Sequence, residues 1–238
     1  MNSPKIKAKY VLFFLLIMQF VQAQDSTKLN QYGLWVVNNT STYKNYIATH
    51  YNHQLVDIKQ YIPTIQFNLQ YATKNNFTHT ALYPSINTTF ASKQLVMQLQ
   101  KVQNKLAEAG LGLLIFDAYR PYNITQKMWQ IIPDDRYAAN PTYGSGHNRG
   151  IAVDVTIISL TTNKVLNMGT AFDNFSDTAH HSFTQLPSTI LNNRSLLKTT
   201  MEQFGFTALA TEWWHYSLPN AKQYALLNIS FSQLKKIH

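Results

Sequence analysis

The run Ser145-Gly146-His147-Asn148-Arg149-Gly150-Ile151-Ala152-Val153-Asp154-Val155-Thr156 carries both the fold signal and a candidate site. From Gly150 to Ser159, Ile151, Val153 and Val155 alternate with Ala152, Asp154 and Thr156, the period of two that a strand requires. Gly146 and Gly150 suit a tight loop entering that strand, which lets His147 fold back toward Asp154. Before this run, Leu95, Leu99, Val102 and Leu106 follow Ser92 at 4-3-4 spacing, and Gly110 closes the pattern. That predicts an amphipathic helix. Leu113-Leu114-Ile115-Phe116 then suits a buried strand, ended at Asp117-Ala118-Tyr119-Arg120-Pro121 because proline cannot donate to a ladder. Asn123 to Ile132 reads as a helix stopped by Pro133. After the run, Thr161-Thr162-Asn163-Lys164 makes a turn into Val165-Leu166. A helix is expected from about Ser188, through Leu196, Leu197, Met201 and Phe204, to Gly205. Aromatic-rich Phe206 to Tyr216 reads as a strand. Strands and helices without regular βαβ alternation predict an α+β fold: a single domain with a central antiparallel sheet flanked by helices. Residues 61–238 are assigned to it. Residues 24–60, polar and aromatic without a clear period, read as an extended N-terminal arm or cover.

The chain has 238 residues, long enough for a sizeable core, and is 45% hydrophobic. Its 13% charged residues, against about 25% in an average soluble chain, exclude a disordered, collagen-like or coiled-coil protein. Lys5, Lys7 and Lys9 precede an apolar stretch from Val11 to Val21 and the small-residue site Val21-Gln22-Ala23. Residues 1–23 therefore read as a signal peptide cleaved after Ala23. The apolar run is shorter than the roughly 20 residues that span a bilayer, so no membrane anchor is expected after cleavage. The mature chain is expected to be exported, to the periplasm or beyond. Losing those three lysines takes the formal charge from +9 to +6. The remaining basic residues are scattered, which argues against a nucleic-acid partner. With no cysteine, there are no disulfides and no thiolate metal sites.

The chemistry gathers on two motifs. His147 and Asp154 lie on the loop and strand of the first. Glu212-Trp213-Trp214-His215 supplies an acid and a second histidine. Two histidines and an aspartate would leave one position of a tetrahedral zinc open to water. Glu212 would then be the carboxylate that a general base requires. On a flat strand Glu212 and His215 would face opposite sides, so the segment must twist, bulge or leave the sheet there. The same ligand set could hold iron in a facial triad, but the six-residue gap between His147 and Asp154 and the presence of Glu212 favour hydrolysis.

Further pieces then fall into an order. Tyr71-Ala72-Thr73 with Asn76-Phe77-Thr78 is followed by Asp117-Ala118-Tyr119-Arg120-Pro121 and by Ser145 to Asp154 with Thr156. Met168-Gly169-Thr170-Ala171-Phe172-Asp173, Ala179-His180-His181, Gly205-Phe206 and Glu212-Trp213-Trp214-His215-Tyr216 complete it. Over roughly residues 65–217 this series resembles the D-alanyl-D-alanine dipeptidases of the vancomycin-resistance type, within the wider family of zinc D,D-carboxypeptidases. The resemblance implies one zinc ion per chain, bound by His147, Asp154 and His215 at the sheet. It implies Glu212 as catalytic base and Arg120 as the cation steadying the tetrahedral intermediate. Guanidinium suits that role because it stays charged and offers paired donors; a plain salt bridge with Asp117 is the bland reading. Asp173 matches the acid that meets the substrate ammonium, and Tyr71 and Ser145 match pocket residues. For those two the bland readings are a buried tyrosine bonded to backbone and a serine capping a loop. His180 and His181 read as supporting or surface residues; His50, His53, His79 and His238 carry no assigned role.

The expected activity is hydrolysis of D-Ala-D-Ala to D-alanine by a metal-bound water, in cell-wall peptide turnover. A D,D- or L,D-carboxypeptidase trimming peptidoglycan stem peptides is the alternative. A zinc-stabilised module that binds wall peptide without catalysis is a third reading, disfavoured because binding needs neither Glu212 nor Arg120. An exported enzyme cannot drain a cytoplasmic dipeptide pool, so scavenging of wall-derived dipeptide is expected instead.

Overall fold

The computed structural model describes residues 28–237. The expected signal segment and His238 lie outside the described residues. The elements run β1 (Val36–Val37), α1 (Thr40–Thr49), β2 (Leu55–Asp57), α2 (Ile58–Tyr61), β3 (Gln66–Phe67), β4 (Phe90–Ser92), α3 (Lys93–Ala107), β5 (Leu111–Asp117) and α4 (Tyr122–Ile131). They continue with β6 (Ala152–Ser159), α5 (Ser188–Gln203), β7 (Thr207–Ala208), β8 (His215–Ser217), β9 (Leu226–Leu227) and α6 (Phe231–Ile237).

Ser92 begins α3 as expected: its side chain accepts from the Leu95 amide, and Leu95, Leu99, Val102 and Leu106 face the core. The helix packs on β5, where buried Gln103 accepts the Leu113 amide at 2.8 Å. β5 lies beside β6 in a five-stranded sheet of order β3-β5-β6-β8-β7. Every pair in it is antiparallel except β3 with β5, which is parallel, so the sheet is mixed at one edge. The strand β6 is buried from Ala152 to Ile158, because both faces of the sheet are covered there. Helices and sheet together make the expected α+β single domain.

Two readings need correction. Phe206 to Tyr216 is not one strand: β7 and β8 are short, and residues 209–214 form the connection between them. Glu212 therefore sits off the sheet, while His215 opens β8. Of the arm-or-cover reading of residues 24–60, the arm does not hold: the described residues 28–60 do not form an extended arm. Asn39 caps α1 by accepting from the Thr42 amide, and Tyr43 on that helix is fully buried. The Tyr43 hydroxyl accepts the Leu55 amide at 2.7 Å, and β2 pairs with β4 just before α3. Full burial of Tyr43, Leu55 and Ile58 ties the segment down by about 1.5–3 kcal/mol for each aliphatic side chain. Among the described residues, no helix is long and apolar enough to cross a membrane.

Candidate active site

Hydrogen-bond register assembles the centre. On β6, Asp154 pairs with Asp117 of β5 on one side and with His215 of β8 on the other. A bulge between Ile115 and Asp117 re-aims the end of β5 as it reaches this row. His147 comes from a single 3-10 turn, His147–Arg149, just before β6. Gly150 ends the turn at φ +67°, where a Cβ would lie 2.4 Å from Leu55 Cδ2 and 3.1 Å from the Ser92 amide nitrogen. Any other residue would be strained at that corner, by its positive φ and by its closeness to the β2–β4 pair.

The His147 and His215 rings meet edge-on, with Nε2 of the first 3.2 Å from Nδ1 of the second. Asp154 Oδ1 lies 2.9 Å from His215 Nδ1, and Oδ2 lies 3.4 Å from His147 Nε2. One donor atom from each residue falls within 4.8 Å of the other two. His147 Nδ1 is 2.7 Å from the Ala118 carbonyl. A carbonyl only accepts, so Nδ1 carries the proton and Nε2 keeps its lone pair for the cluster. Two imidazole nitrogens and a carboxylate, with one ring oriented from behind, form a donor set that fits zinc with an open fourth position. Burial alone would raise the Asp154 carboxyl, but the adjoining imidazoles of His147 and His215 hold it well below the ordinary range.

A cavity of about 210 Å³ opens over this centre, below the ~300–1,000 Å³ of sites for drug-sized ligands. Glu212 reaches it from the β7–β8 connection, with Oε2 3.9 Å from His215 Nδ1. Burial pushes its carboxyl above the usual value, against the pull of His215. Arg120 lines the same cavity. Its Nε and Nη2 both donate to Asp117 Oδ2, at 3.1 and 2.8 Å, so the salt bridge with Asp117 and the cavity position coexist. Tyr83 donates to the other Asp117 oxygen at 2.9 Å. Burial disfavours the Arg120 charge, but Asp117 more than restores it and keeps the guanidinium ionised.

Asp173 stands on the far wall in a left-handed conformation, φ +59°. Tyr71 donates to its Oδ1 at 3.0 Å, while Oδ2 is buried without a hydrogen-bond partner. Burial, then repulsion from Asp154, pushes this carboxyl well above its ordinary value. Tyr71 thus bonds a carboxylate rather than backbone, and Arg120 lies over its ring at 5.1 Å. Asn76 braces the loop that carries Tyr71, accepting from the Thr78 amide and donating to the Thr73 and Thr80 carbonyls. Ser145 lines the cavity and also caps its loop: Oγ accepts the Asn148 amide at 3.2 Å, and the Ser145 amide donates back to Asn148 Oδ1 at 2.9 Å.

His147, Asp154, His215, Glu212, Arg120, Asp173, Tyr71 and Ser145 therefore share one cavity. His180 and His181 do not line it. Sequence reasoning missed Asp135, Arg136, Tyr137 and Phe175 on its rim, where Phe175 bridges Tyr137 and Phe77 edge to face. It also missed Asn148, whose amide ties the His147 turn to the Arg120 carbonyl and to Thr125.

Comparison with known proteins agrees in one direction. The D-ala-D-ala dipeptidase family of peptidases matches residues 51–237. D-alanyl-D-alanine dipeptidase of Escherichia coli is 36% identical over 179 residues, which cover 75% of this chain and 92% of that protein. The enzyme of the same name from Streptomyces coelicolor is 32% identical over 180 residues, covering 68% and 89%. The one from Enterococcus faecalis is 29% identical over 173 residues, covering 65% and 86%.

Proposed function

Because the chain belongs to the D-Ala-D-Ala dipeptidase family of metallopeptidases, we propose that it hydrolyses free D-Ala-D-Ala to D-alanine, with one zinc ion held by His147, Asp154 and His215. One observation carries the dipeptide reading: Asp173, whose buried Oδ2 has no hydrogen-bond partner, lines the same small cavity as Glu212 and the two histidines. A carboxylate in that position needs a cation to offset its desolvation, and the free ammonium of a dipeptide is such a cation.

The geometry supports the following roles. Asp173, oriented by Tyr71, receives the ammonium and fixes which end of the substrate enters first. A zinc ion held by His147, Asp154 and His215 would supply Lewis acidity and lower the pKa of a bound water. Glu212, its basicity raised by burial, takes the proton of the attacking water and returns it to the departing amine. Arg120, clamped by Asp117 and kept charged, offers positive charge to the oxygen that becomes negative as the carbonyl turns tetrahedral. Ser145 holds the turn that presents His147 and contributes its side chain to the pocket wall. We further place the mature enzyme outside the inner membrane, on the signal-like residues 1–23, where it recovers D-alanine from wall-derived dipeptide.

The test uses D-Ala-D-Ala, N-acetyl-D-Ala-D-Ala and a stem pentapeptide side by side. Blocking the ammonium strands Asp173, which costs about 3–5 kcal/mol, or roughly two to four decades in kcat/KM. The free dipeptide is expected to be cleaved and the other two nearly untouched. Equal rates on free and blocked peptides would replace the dipeptidase with a carboxypeptidase.

A further inference from the structure

The helix α5 lies outside the cavity, yet one of its side chains reaches both loops that flank it. Arg194 is 5% exposed. Its Nε donates to the Met168 carbonyl at 2.7 Å and its Nη1 to the His180 carbonyl at 3.2 Å. Nη2 is buried without a partner. A buried guanidinium satisfied by carbonyls is expensive to desolvate, and mere filling of space would be met more cheaply by an apolar side chain.

The two carbonyls belong to segments with different duties. Residues 167–173 present Asp173. This segment lies hard against α5: Asn193 donates to the Asn167 carbonyl at 2.9 Å. Gly169, at φ +85°, is in a conformation that side-chain-bearing residues rarely adopt, and a Cβ there would press on Leu186 and Ile190 at 3.0–3.3 Å. Residues 179–181 hold the Glu212 connection from outside. The Ala179 carbonyl accepts the Trp213 amide at 3.1 Å, and the His181 amide donates to the Ala210 carbonyl at 3.0 Å, one bond on each side of Glu212. The indole of Trp213 closes the circuit by donating to Thr170 at 2.7 Å.

We infer that Arg194 is a positioning residue that sets the separation between Asp173 and Glu212. The inference rests on the dipeptidase reading above. In a dipeptide the ammonium and the scissile carbonyl are a fixed few bonds apart, so the ammonium receptor and the base must keep a matching separation. The forked guanidinium meets the two carbonyls with separate nitrogens in a rigid plane; an ammonium would have to reach both from one nitrogen on a flexible stem.

The experiment compares zinc-loaded wild type with Arg194→Lys, with Arg194→Gln alongside so that a folding failure of one still leaves a result, and with Asn193→Ala. By native-state hydrogen exchange, the Arg194 variants are expected to loosen the Gly169 and Trp213 amides together by about 10- to 100-fold, while β5 and β6 stay protected. Asn193→Ala is expected to loosen only the Asp173 segment. The same folded Arg194 variants are expected to lose up to about 10²-fold in kcat/KM on the free dipeptide, with a smaller ratio of free to blocked substrate. Loosening of one segment alone, or of the whole molecule, overturns the inference. So does a folded variant with unchanged kinetics and unchanged ratio. Failure of the wild type to cleave the free dipeptide would instead sink the dipeptidase reading, while the exchange data still decide whether Arg194 joins the two segments.

Discussion

The two sides of the cavity are built by different means. The His147–Asp154–His215 side is fixed by main chain: three adjacent strands in register place Asp117, Asp154 and His215 in one row, and a tight turn swings His147 over it. The Asp173–Glu212 side is made of connections held by side-chain bonds: Tyr71 to the Asp173 carboxyl, Trp213 to the Thr170 hydroxyl, and Asn76 and Arg194 to backbone carbonyls. A metal centre tolerates little error in ligand position, and a ladder of backbone bonds supplies that rigidity. A recognition wall has to admit and release a substrate, and loops pinned at a few points can do so. Substitutions on the first side should therefore act all or none. Those on the second should be graded.

The largest effect is expected from His215→Ala. Its backbone bonds in β8 remain, so the fold should survive, but zinc should leave and activity should drop below detection. Metal analysis of the purified variant checks this, and full zinc occupancy would remove His215 from the ligand set. Next comes Glu212→Ala, on the connection rather than the sheet. It should keep its zinc and lose about 10²–10⁴ in kcat, the usual worth of a general base. Loss of metal in that variant would make Glu212 a ligand and erase the contrast between the two sides. The smallest effect is expected from Tyr71→Phe, which keeps the ring under Arg120 and deletes only the donor to Asp173. A hydrogen bond to a charged group is worth about 1.5–3 kcal/mol, so KM for the free dipeptide should rise about 10- to 100-fold with kcat much less changed. A fall in kcat with constant KM would show that Tyr71 acts on the reacting centre instead.

The first side was also the more legible in sequence, for the same reason. A strand announces itself by its period, and β6 with the glycine-flanked turn before it was readable from Gly146 to Ser159. So was α3, whose apolar spacing and serine cap are local signals. The pairing of Asp154 with His215 was reached only by supposing a shared metal, since register between distant strands leaves no local trace. The α1 helix stayed hidden because Tyr43 is its one fully buried residue, and Tyr46, Ile47 and Ala48 among Thr, Ser, Asn and Lys make no clear apolar stripe. The aromatic stretch from Phe206 to Tyr216 imitated a continuous strand. Trp213 and Trp214 are buried for packing and for the bond to Thr170, not because they alternate along a ladder. Asp173 and Tyr71 were recognised through family motifs, and nothing in their spacing disclosed the bond between them. Arg194 gave no signal at all, because a basic residue on a helix looks exposed until the carbonyls it meets are known.

The pairing of β1 with β9 sets an order in time. Val36 and Val37 lie beside Leu226 and Leu227 in a two-stranded sheet of their own, and the Ala225 amide reaches back to the Tyr46 hydroxyl. The first strand of the described chain thus waits for the last one to be synthesised. Contacts between such distant residues pay their loop-closure entropy before they return any stability, which slows folding. The pairings around β6 do not require β1 or β9, so closing β1 on β9 is expected to come late. Removing the last thirteen residues, from Leu226 on, would leave the early segment without its strand partner.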